Sequence, residues 1–194
     1  MITLDTSSPA FAYWVGFLLA DGCISVRPNR ADRLVVELKV ADCSHLRELS
    51  SFLGLDKSPK VYKNCARLEK SDTELCDLLQ SYGIVPRKSQ TATADKRLVG
   101  SRDFWRGVVD GDGCVGKYGR YSYPRLSVVG STTLMAQFVE FSRLQGIGFR
   151  SKVQKHGKYS SVACAAGTAY ALGKILYKEN DVSLVRKQRE VLSW

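Results

Sequence analysis

One motif occurs twice in this sequence, and the repetition limits the possible folds more than any other feature. Residues 13–24 are YWVGFLLADGCI and residues 104–115 are FWRGVVDGDGCV. Each copy has a tryptophan at its second position, a glycine two residues later, and then Asp-Gly-Cys before a β-branched residue. The two copies lie 91 residues apart in a chain of 194, which indicates an internal duplication.

Each motif copy is predicted to be a buried helix that leads directly into a strand. Residues 11–21 are mostly apolar on every side, which is typical of a helix surrounded by protein. Gly22 and Gly113 stand where a left-handed glycine commonly ends a helix. The β-branched residue and the alternating run that follow each glycine predict a strand.

Small residues recur at spacing i, i+4 on one face of both motif helices: Gly16 with Ala20, and Gly107 with Gly111. Residues at this spacing are neighbours on a helix surface. Two such faces would let the helices pack with their backbones close together. The helix ends would then lie side by side.

The two motif aspartates, Asp21 and Asp112, stand at an unfavourable place for a carboxylate. The last turn of a helix carries the negative end of the backbone dipole, so an acidic side chain there costs a few tenths to about 1 kcal/mol. A bound cation would relieve this repulsion. In a single copy an ordinary Asp-Gly turn would be the simpler interpretation, but the pair favours metal ligation.

The charge balance favours a polyanionic partner. There are 29 Lys and Arg residues against 19 Asp and Glu, which gives a net charge of +10 and a pI near 9.4. An excess of this size is typical of nucleic-acid-binding proteins. P-loop, Rossmann and hydrolase nucleophile signatures do not occur in the sequence.

The cysteines predict neither a zinc site nor a disulfide framework. The six cysteines form no C-x-x-C pair, and the chain has only two histidines. Cys23 and Cys114 are equivalent in the repeat and are expected to be buried as small hydrophobic residues. No signal peptide is recognised, and the apolar run 11–20 is too short to span a membrane. We therefore expect a soluble, intracellular protein.

Both halves are predicted to follow the order helix, hairpin, helix, hairpin, helix. The first half covers residues 1–89, a linker covers 90–100, and the second half covers 101–194. The hairpins are predicted at residues 24–39, 60–69, 116–129 and 150–165. Asp42 and Ser131 follow a hairpin in each half and are expected to cap the next helix. A polar residue that supports the neighbouring site is the alternative interpretation.

The paired motif resembles the LAGLIDADG homing endonucleases, in the single-chain, pseudo-dimeric form with two motif copies. The likeness covers about residues 10–190. The first copy departs from the family pattern at Leu19, where the family often has an aspartate, whereas the second copy keeps it as Asp110. We expect Asp110 to support the helix-to-strand turn rather than to bind metal.

The resemblance implies an α+β fold in which two pseudo-twofold-related αββαββα halves form a saddle of antiparallel sheets around two packed motif helices. Double-stranded DNA would lie across the saddle. A monomer would hydrolyse one phosphodiester bond in each strand at a specific site and leave 3′ overhangs, as in intron or intein homing.

The resemblance also implies Mg²⁺ as the cofactor, with Mn²⁺ as a substitute and Ca²⁺ as a cation that supports binding without cleavage. The metal site would be formed by Asp21 and Asp112 with the preceding residues Ala20 and Gly111. Carboxylates and phosphate oxygens are hard ligands that suit Mg²⁺. Gly16 and Gly107 would form the helix interface.

Lys88 and Lys187 hold matching places in the two halves, within Pro86-Arg-Lys88 and Val185-Arg-Lys187. The resemblance implies that a basic residue here positions water or stabilises charge on the phosphate. A solvated lysine near the start of a helix remains the alternative.

The hairpins carry many long polar side chains, and alternate residues on the free face of an antiparallel sheet can reach base edges. A merely solubilising outer face is the alternative interpretation. The predicted DNA contacts are Ser25, Arg27, Arg30, Arg33, Lys39, Lys60, Tyr62, Lys63, Arg67, Lys117, Arg120, Tyr121, Tyr123, Arg125, Lys152, Gln154 and Lys155.

A second function is possible on the same fold, namely a non-cleaving RNA maturase or a DNA-binding regulator. Loss of one motif aspartate would favour it. Since Asp21 and Asp112 are both present, we expect cleavage.

Overall fold

A computed structural model describes residues 4–55, 57–149 and 152–194. The elements of the N-terminal half are α1 (Pro9–Asp21), β1 (Gly22–Ser25), β2 (Arg33–Lys39), α2 (Cys43–Phe52), β3 (Lys60–Tyr62), β4 (Cys65–Ser71) and α3 (Thr73–Ser81). Those of the C-terminal half are α4 (Arg102–Asp112), β5 (Gly113–Tyr118), β6 (Tyr123–Gly130), α5 (Thr132–Leu144), β7 (Gln154–His156), β8 (Tyr159–Ala165), α6 (Ala166–Leu176) and α7 (Val185–Leu192).

The two halves have the same sheet topology. One antiparallel sheet has the order β1-β2-β4-β3 and the other has the order β5-β6-β8-β7. The predicted α+β fold with two αββαββα halves is therefore confirmed, with α7 as an additional helix at the end of the second half. The strand predicted from residue 150 begins at Gln154, and Arg150 and Ser151 lie outside the described residues.

The two motif helices form the centre of the core. On α1, every residue from Phe11 to Leu19 is buried, as the apolar composition of this helix predicts. On α4, every residue from Phe104 to Asp110 is buried as well. No helix in the described parts of the chain is long and apolar enough to cross a membrane.

The contact between α1 and α4 depends on the absence of side chains at two glycines. A Cβ atom on Gly16 would collide with the carbonyl group of Phe104, and one on Gly107 would collide with the carbonyl oxygen of Tyr13. Towards the helix ends, a Cβ on Gly111 would overlap the Cβ of Ala20. The backbones can therefore approach closely along the whole face.

The prediction of left-handed glycines at the helix ends was wrong. Gly22 has φ −79° and ψ 147°, and Gly113 has φ −94° and ψ 162°, so both are extended. These residues are already the first of the following strands. Glycine is still required, because a Cβ on Gly22 would lie 2.6 Å from the carbonyl oxygen of Leu18, and Gly113 has the same conflict with Val109.

The prediction that Cys23 and Cys114 are buried was also wrong, since both are exposed. The prediction assumed that each glycine belongs to a turn before the strand. In the structure each strand already begins at the glycine, and side chains alternate between the two faces from there, so the next residue, the cysteine, faces away from the core. In β1 this places Ile24 inside the core and Cys23 on the opposite face.

Helix capping follows the sequence at most positions. The hydroxyl of Ser8 accepts a bond from the amide of Phe11 (3.1 Å), and Ser131 accepts one from Leu134 (3.0 Å). The prediction for Asp42 was wrong, because its carboxylate accepts no bond from the backbone of α2. The chain enters α2 through a 3₁₀ turn, and both oxygens of Asp42 accept from Nε of Arg186 (3.2 and 3.1 Å) instead.

Candidate active site

Asp21 and Asp112 are the last residues of α1 and α4, and the close packing of these helices brings them together. Both are half-buried. The Oδ2 atom of Asp21 lies 3.5 Å from the position that a Cβ on Gly111 would occupy. The small residues Ala20 and Gly111, also half-buried, therefore leave room for two carboxylates at the junction of the halves.

Both carboxyl groups are held in an environment that disfavours their charge. Burial, with the negative charge of Asp21 added to it, raises the pKa of Asp112 to about 6. Burial also raises the pKa of Asp21, although the positive charges of Lys187 and Lys88 oppose the rise. A cation placed at the pair would remove this repulsion, which agrees with the argument from the helix dipoles.

The donor set at this place consists of oxygen atoms. The carboxylates of Asp21 and Asp112 are its charged members, and the residues before them, Ala20 and Gly111, offer only backbone oxygens. The described residues hold no cluster of three or more His, Cys, Asp or Glu side chains. Such a site fits a hard divalent cation whose remaining positions are filled by water and phosphate oxygens, as is usual for Mg²⁺.

Lys88 and Lys187 are both buried next to the carboxylates, with 7% and 3% of their surface exposed. Nζ of Lys88 donates to the carbonyl oxygen of Gly22, the residue after Asp21. Nζ of Lys187 donates to the carbonyl oxygen of Gly113, the residue after Asp112, at 2.6 Å. Burial lowers the pKa of both ammonium groups, and the negative charge of Asp21 counteracts the decrease at each.

Asp110 lies in a junction between the halves rather than in the helix-to-strand turn, so the expected role in the turn was wrong. Its carboxylate accepts bonds from the hydroxyls of Tyr13 (2.7 Å) and Tyr177 (2.6 Å) and from the amide of Leu184 (2.7 Å). The Tyr13 hydroxyl also bonds Nε2 of the buried His45 (2.8 Å). The sequence reasoning missed these partners. The one available signal was the aspartate in the second copy where the first has Leu19.

The free faces of the two sheets carry most of the predicted DNA contacts. Strand alternation places nine of them on the face opposite the core: Ser25, Arg33, Lys39, Lys60, Tyr62, Arg67, Tyr123, Arg125 and Gln154. Others lie in hairpin turns or beside a strand: Arg27, Arg30, Lys63, Arg120, Tyr121 and Lys152.

Two predicted DNA contacts, Lys117 and Lys155, lie on the core-facing side of the second sheet rather than on its free face. Lys117 shares its side with Val115 and Leu126, and its Nζ donates to the carbonyl oxygen (2.8 Å) and the hydroxyl (3.2 Å) of Ser193. Lys155 pairs with the buried Ser160 and lies on that same side, although it is exposed.

The free faces differ in chemistry. On the first sheet, Arg33 and Arg67 form ion pairs with Glu69 at 3.2 and 2.6 Å, and Arg67 also approaches Glu37 at 3.8 Å. The second sheet exposes four tyrosines near its free face, of which sequence reasoning missed the first and the last: Tyr118, Tyr121, Tyr123 and Tyr159.

No family model matches the sequence, and no curated protein matches it. Solved structures do match. The homing endonuclease I-WcaI bound to its DNA recognition sequence has a TM-score of 0.68 at 12% identity, over 98% of this chain and 88% of that one. I-SmaMI bound to an uncleaved DNA target in the presence of calcium ions has a TM-score of 0.57 at 14% identity, over 87% and 84%.

A third structure, the LAGLIDADG meganuclease I-AabMI bound to uncleaved DNA, has a TM-score of 0.56 at 12% identity, over 86% of this chain and 83% of that one. At this level of identity the likeness establishes the architecture. The chain has the fold of these LAGLIDADG homing endonucleases, with both motif copies in one chain.

Proposed function

We propose that this chain, which has the fold of the LAGLIDADG homing endonucleases, binds double-stranded DNA and hydrolyses one phosphodiester bond in each strand at a specific site. One observation carries the proposal. Asp21 and Asp112 end two helices in close contact, and their half-buried carboxylates lie where the first strand of each sheet begins. One carboxylate from each half provides one centre for each DNA strand.

The charge and the neighbours support DNA as the partner. The net charge of +10 would provide counterion release on binding phosphates. The basic and aromatic residues of the free faces offer donors and stacking surfaces to base edges. The structures of I-WcaI, I-SmaMI and I-AabMI contain bound DNA.

Asp21 and Asp112, together with the carbonyl groups of Ala20 and Gly111, would hold a divalent cation, for which we propose Mg²⁺. When bound, the cation would activate water and stabilise the leaving oxygen. The residues of the chain contribute the rest. Half-burial of the carboxylates reduces their contact with bulk water, and the positive charges at Lys88 and Lys187 favour the approach of a phosphate group.

The spacing of the two carboxylates and the family resemblance together suggest the products. Because Asp21 and Asp112 lie close together, the two cuts would fall within a few base pairs. The resemblance to the LAGLIDADG endonucleases implies that the short overhangs are 3′, and we propose the same here. Both centres come from one chain, so we propose that the monomer is active. An asymmetric chain would select a long, asymmetric target, as the insertion of an intron or intein requires.

Selection from a randomised pool of DNA duplexes tests this function. With Mg²⁺, cleaved products should converge on one long asymmetric sequence, and sequencing of their ends should show 3′ overhangs. With Ca²⁺, the same sequence should be bound and remain intact. Recovery of bound but never cleaved duplexes would favour the binding protein, and failure to enrich any duplex would refute both.

A further inference from the structure

The two buried lysines beside the carboxylates differ in the use of their hydrogen-bond donors. An ammonium group has three N–H donors. Lys187 uses all three, because its Nζ donates to the carbonyl oxygens of Val109 (2.8 Å), Asp110 (2.7 Å) and Gly113 (2.6 Å). Within the described part of the chain, Nζ of Lys88 has one acceptor, the carbonyl oxygen of Gly22.

The positions of the three carbonyl acceptors show which part of the backbone Lys187 holds in place. Val109 and Asp110 belong to the last turn of α4, and Gly113 is the first residue of β5. A positive charge at a helix C-terminus satisfies carbonyl groups that have no partner inside the helix. Lys187 therefore fastens the end of α4 to the start of β5, on both sides of Asp112.

The segment that carries Lys187 is itself held in place. The amide of Leu184 donates to Asp110 (2.7 Å), and Arg186 forms an ion pair with Asp42 of the other half (3.1 Å). Lys88 instead begins a 3₁₀ turn after Arg87, whose φ is 58°. Leu19 occupies the position in α1 that Asp110 occupies in α4, so Lys88 has no such carboxylate beside it.

The donors of Lys88 that have no protein acceptor among the described residues are available to a ligand, and burial strengthens a bond from an ammonium group to an anionic acceptor. Lys88 is buried, and the bond from its Nζ to the carbonyl oxygen of Gly22 places the ammonium group beside the end of α1, where Asp21 lies. The oxygens of a DNA phosphate seated over the carboxylates of Asp21 and Asp112 would supply the missing acceptors. Lys187 could bind such a phosphate only by giving up a backbone carbonyl.

We propose that the two lysines have different roles, and this rests on the proposed endonuclease function. Lys88 is a catalytic residue that donates to the phosphate of one strand. Lys187 is a positioning residue that fixes Asp112 through the backbone on either side of it. The two centres are then unequal, and only one strand depends on a lysine donor.

The test compares Lys88→Met and Lys187→Met in the full chain, since methionine keeps much of the length and removes the donors. Each strand of the selected target is labelled separately, and cutting rates, DNA affinity in Ca²⁺ and Tm are measured. For Lys88→Met we expect one strand to be cut about 100-fold more slowly and the other within about threefold, so that nicked DNA accumulates. DNA affinity should stay near that of the parent.

For Lys187→Met we expect both strands to be cut more slowly, because Asp21 and Asp112 are proposed to hold the cation together, so a misplaced Asp112 weakens the metal binding on which both cuts depend. Higher Mg²⁺ should restore part of both rates. Raised Mg²⁺ should not restore Lys88→Met. The loss of three backbone bonds should lower Tm by roughly 5–10 °C, against about 2–4 °C for Lys88→Met. If Lys187→Met does not fold, Lys187→Gln, which keeps two donors, should show an intermediate loss.

Two results would overturn the proposal. One is mirror-image nicking by Lys88→Met and Lys187→Met with equal Tm, which would make the lysines equivalent. The other is parental cutting of both strands by Lys88→Met. A parent protein that cuts no DNA would refute the endonuclease function and the role of Lys88, whereas the Tm comparison would still test the role of Lys187.

Discussion

The two motif helices, α1 and α4, match each other in backbone contact but not in buried chemistry. Each has a glycine where the other helix passes, and each ends in an aspartate at the site. On α1 the other buried positions are apolar, for example Val15 and Leu19. The equivalent positions of α4 hold two buried charged residues, Arg106 and Asp110.

The charged residues of α4 bind the last part of the chain. The guanidinium of Arg106 forms ion pairs with Asp103 (2.7 Å) and Asp181 (3.3 Å), and its Nε donates to the carbonyl of Val182 (3.0 Å). Asp110 binds the amide of Leu184. The shared features therefore build the helix pair and the carboxylates, whereas the features found only in α4 hold the segment that leads to α7 and Lys187.

The largest effect is expected when Asp110 of α4 is replaced by leucine, the residue at the equivalent position 19 of α1. Asp110→Leu should lower the free energy of unfolding by roughly 3–5 kcal/mol, because two tyrosine hydroxyls and the amide of Leu184 lose a buried charged acceptor. Urea denaturation followed by fluorescence measures the loss. Asp110→Asn, which keeps an acceptor oxygen, should cost clearly less. A loss below about 1 kcal/mol for Asp110→Leu would contradict the junction.

The glycine contact is common to both motif helices, so substitution of the glycine should destabilise the protein to a similar degree in either helix. Gly16→Ala and Gly107→Ala should each cost about 2–3 kcal/mol, since the new methyl group meets backbone atoms that cannot move aside without separating the helices. Gly100→Ala is the matched control, because a Cβ there meets nothing within 4 Å. Stability close to that of the control at either position would show that the helices are not in close contact.

The carboxylates should make stability depend on pH. The pKa of Asp112 is about 6 in the folded protein, above its ordinary value of 3.8. The folded state then holds a proton that the unfolded state has lost, so this contribution is fully present below pH 4 and is lost as the pH rises to about 6.

Thermal unfolding of the parent and Asp112→Asn between pH 4 and 8 measures this dependence. In the absence of divalent cations, Asp112→Asn should gain Tm relative to the parent as the pH rises. Mg²⁺ should stabilise the parent at pH 7 but not at pH 4.5. The exposed change Asp77→Asn serves as the control. A constant Tm difference between the parent and Asp112→Asn would contradict the raised pKa.

The smallest effect is expected at the sheets. Lys39→Gln on the charged first sheet should reduce the slope of log Kd against log salt by about one. Tyr123→Phe on the tyrosine-rich second sheet should leave the slope unchanged. Binding in Ca²⁺ over a range of salt concentrations measures both. Equal changes in slope would mean that the two sheets bind DNA by the same chemistry.

The duplication in the sequence predicted the arrangement of the elements because each half repeats the same local signals. Helix starts at Ser8 and Ser101 and turns at Gly119 and Gly157 follow from short-range chemistry. Long-range partners could not be predicted in this way. Asp42 and Arg186 are 144 residues apart, and no local pattern connects them.

The site was only partly accessible from the sequence for the same reason. The motif predicted that Asp21 and Asp112 stand together at the helix ends, and the structure places each as the last residue of its motif helix. Lys88 and Lys187 differ in the number of backbone carbonyl groups that point towards the ammonium group. The direction of a carbonyl group depends on the fold and cannot be inferred from the type of residue. The exposure of Cys23 depends on the residue at which β1 begins. The expectation that Gly22 caps the helix in a left-handed conformation put that start one residue too late.

The most direct test of the account is the effect of Asp21→Asn and Asp112→Asn on a plasmid that carries the selected target. We predict that each change abolishes double-strand cleavage in Mg²⁺, with at least a 10³-fold loss of linear product, about 4 kcal/mol in the barrier. DNA affinity in Ca²⁺ should stay within about tenfold of the parent, because we expect most phosphate contacts on the two sheets rather than at the carboxylates. Linear product formed at the parental rate by both variants would contradict the assignment of the active site.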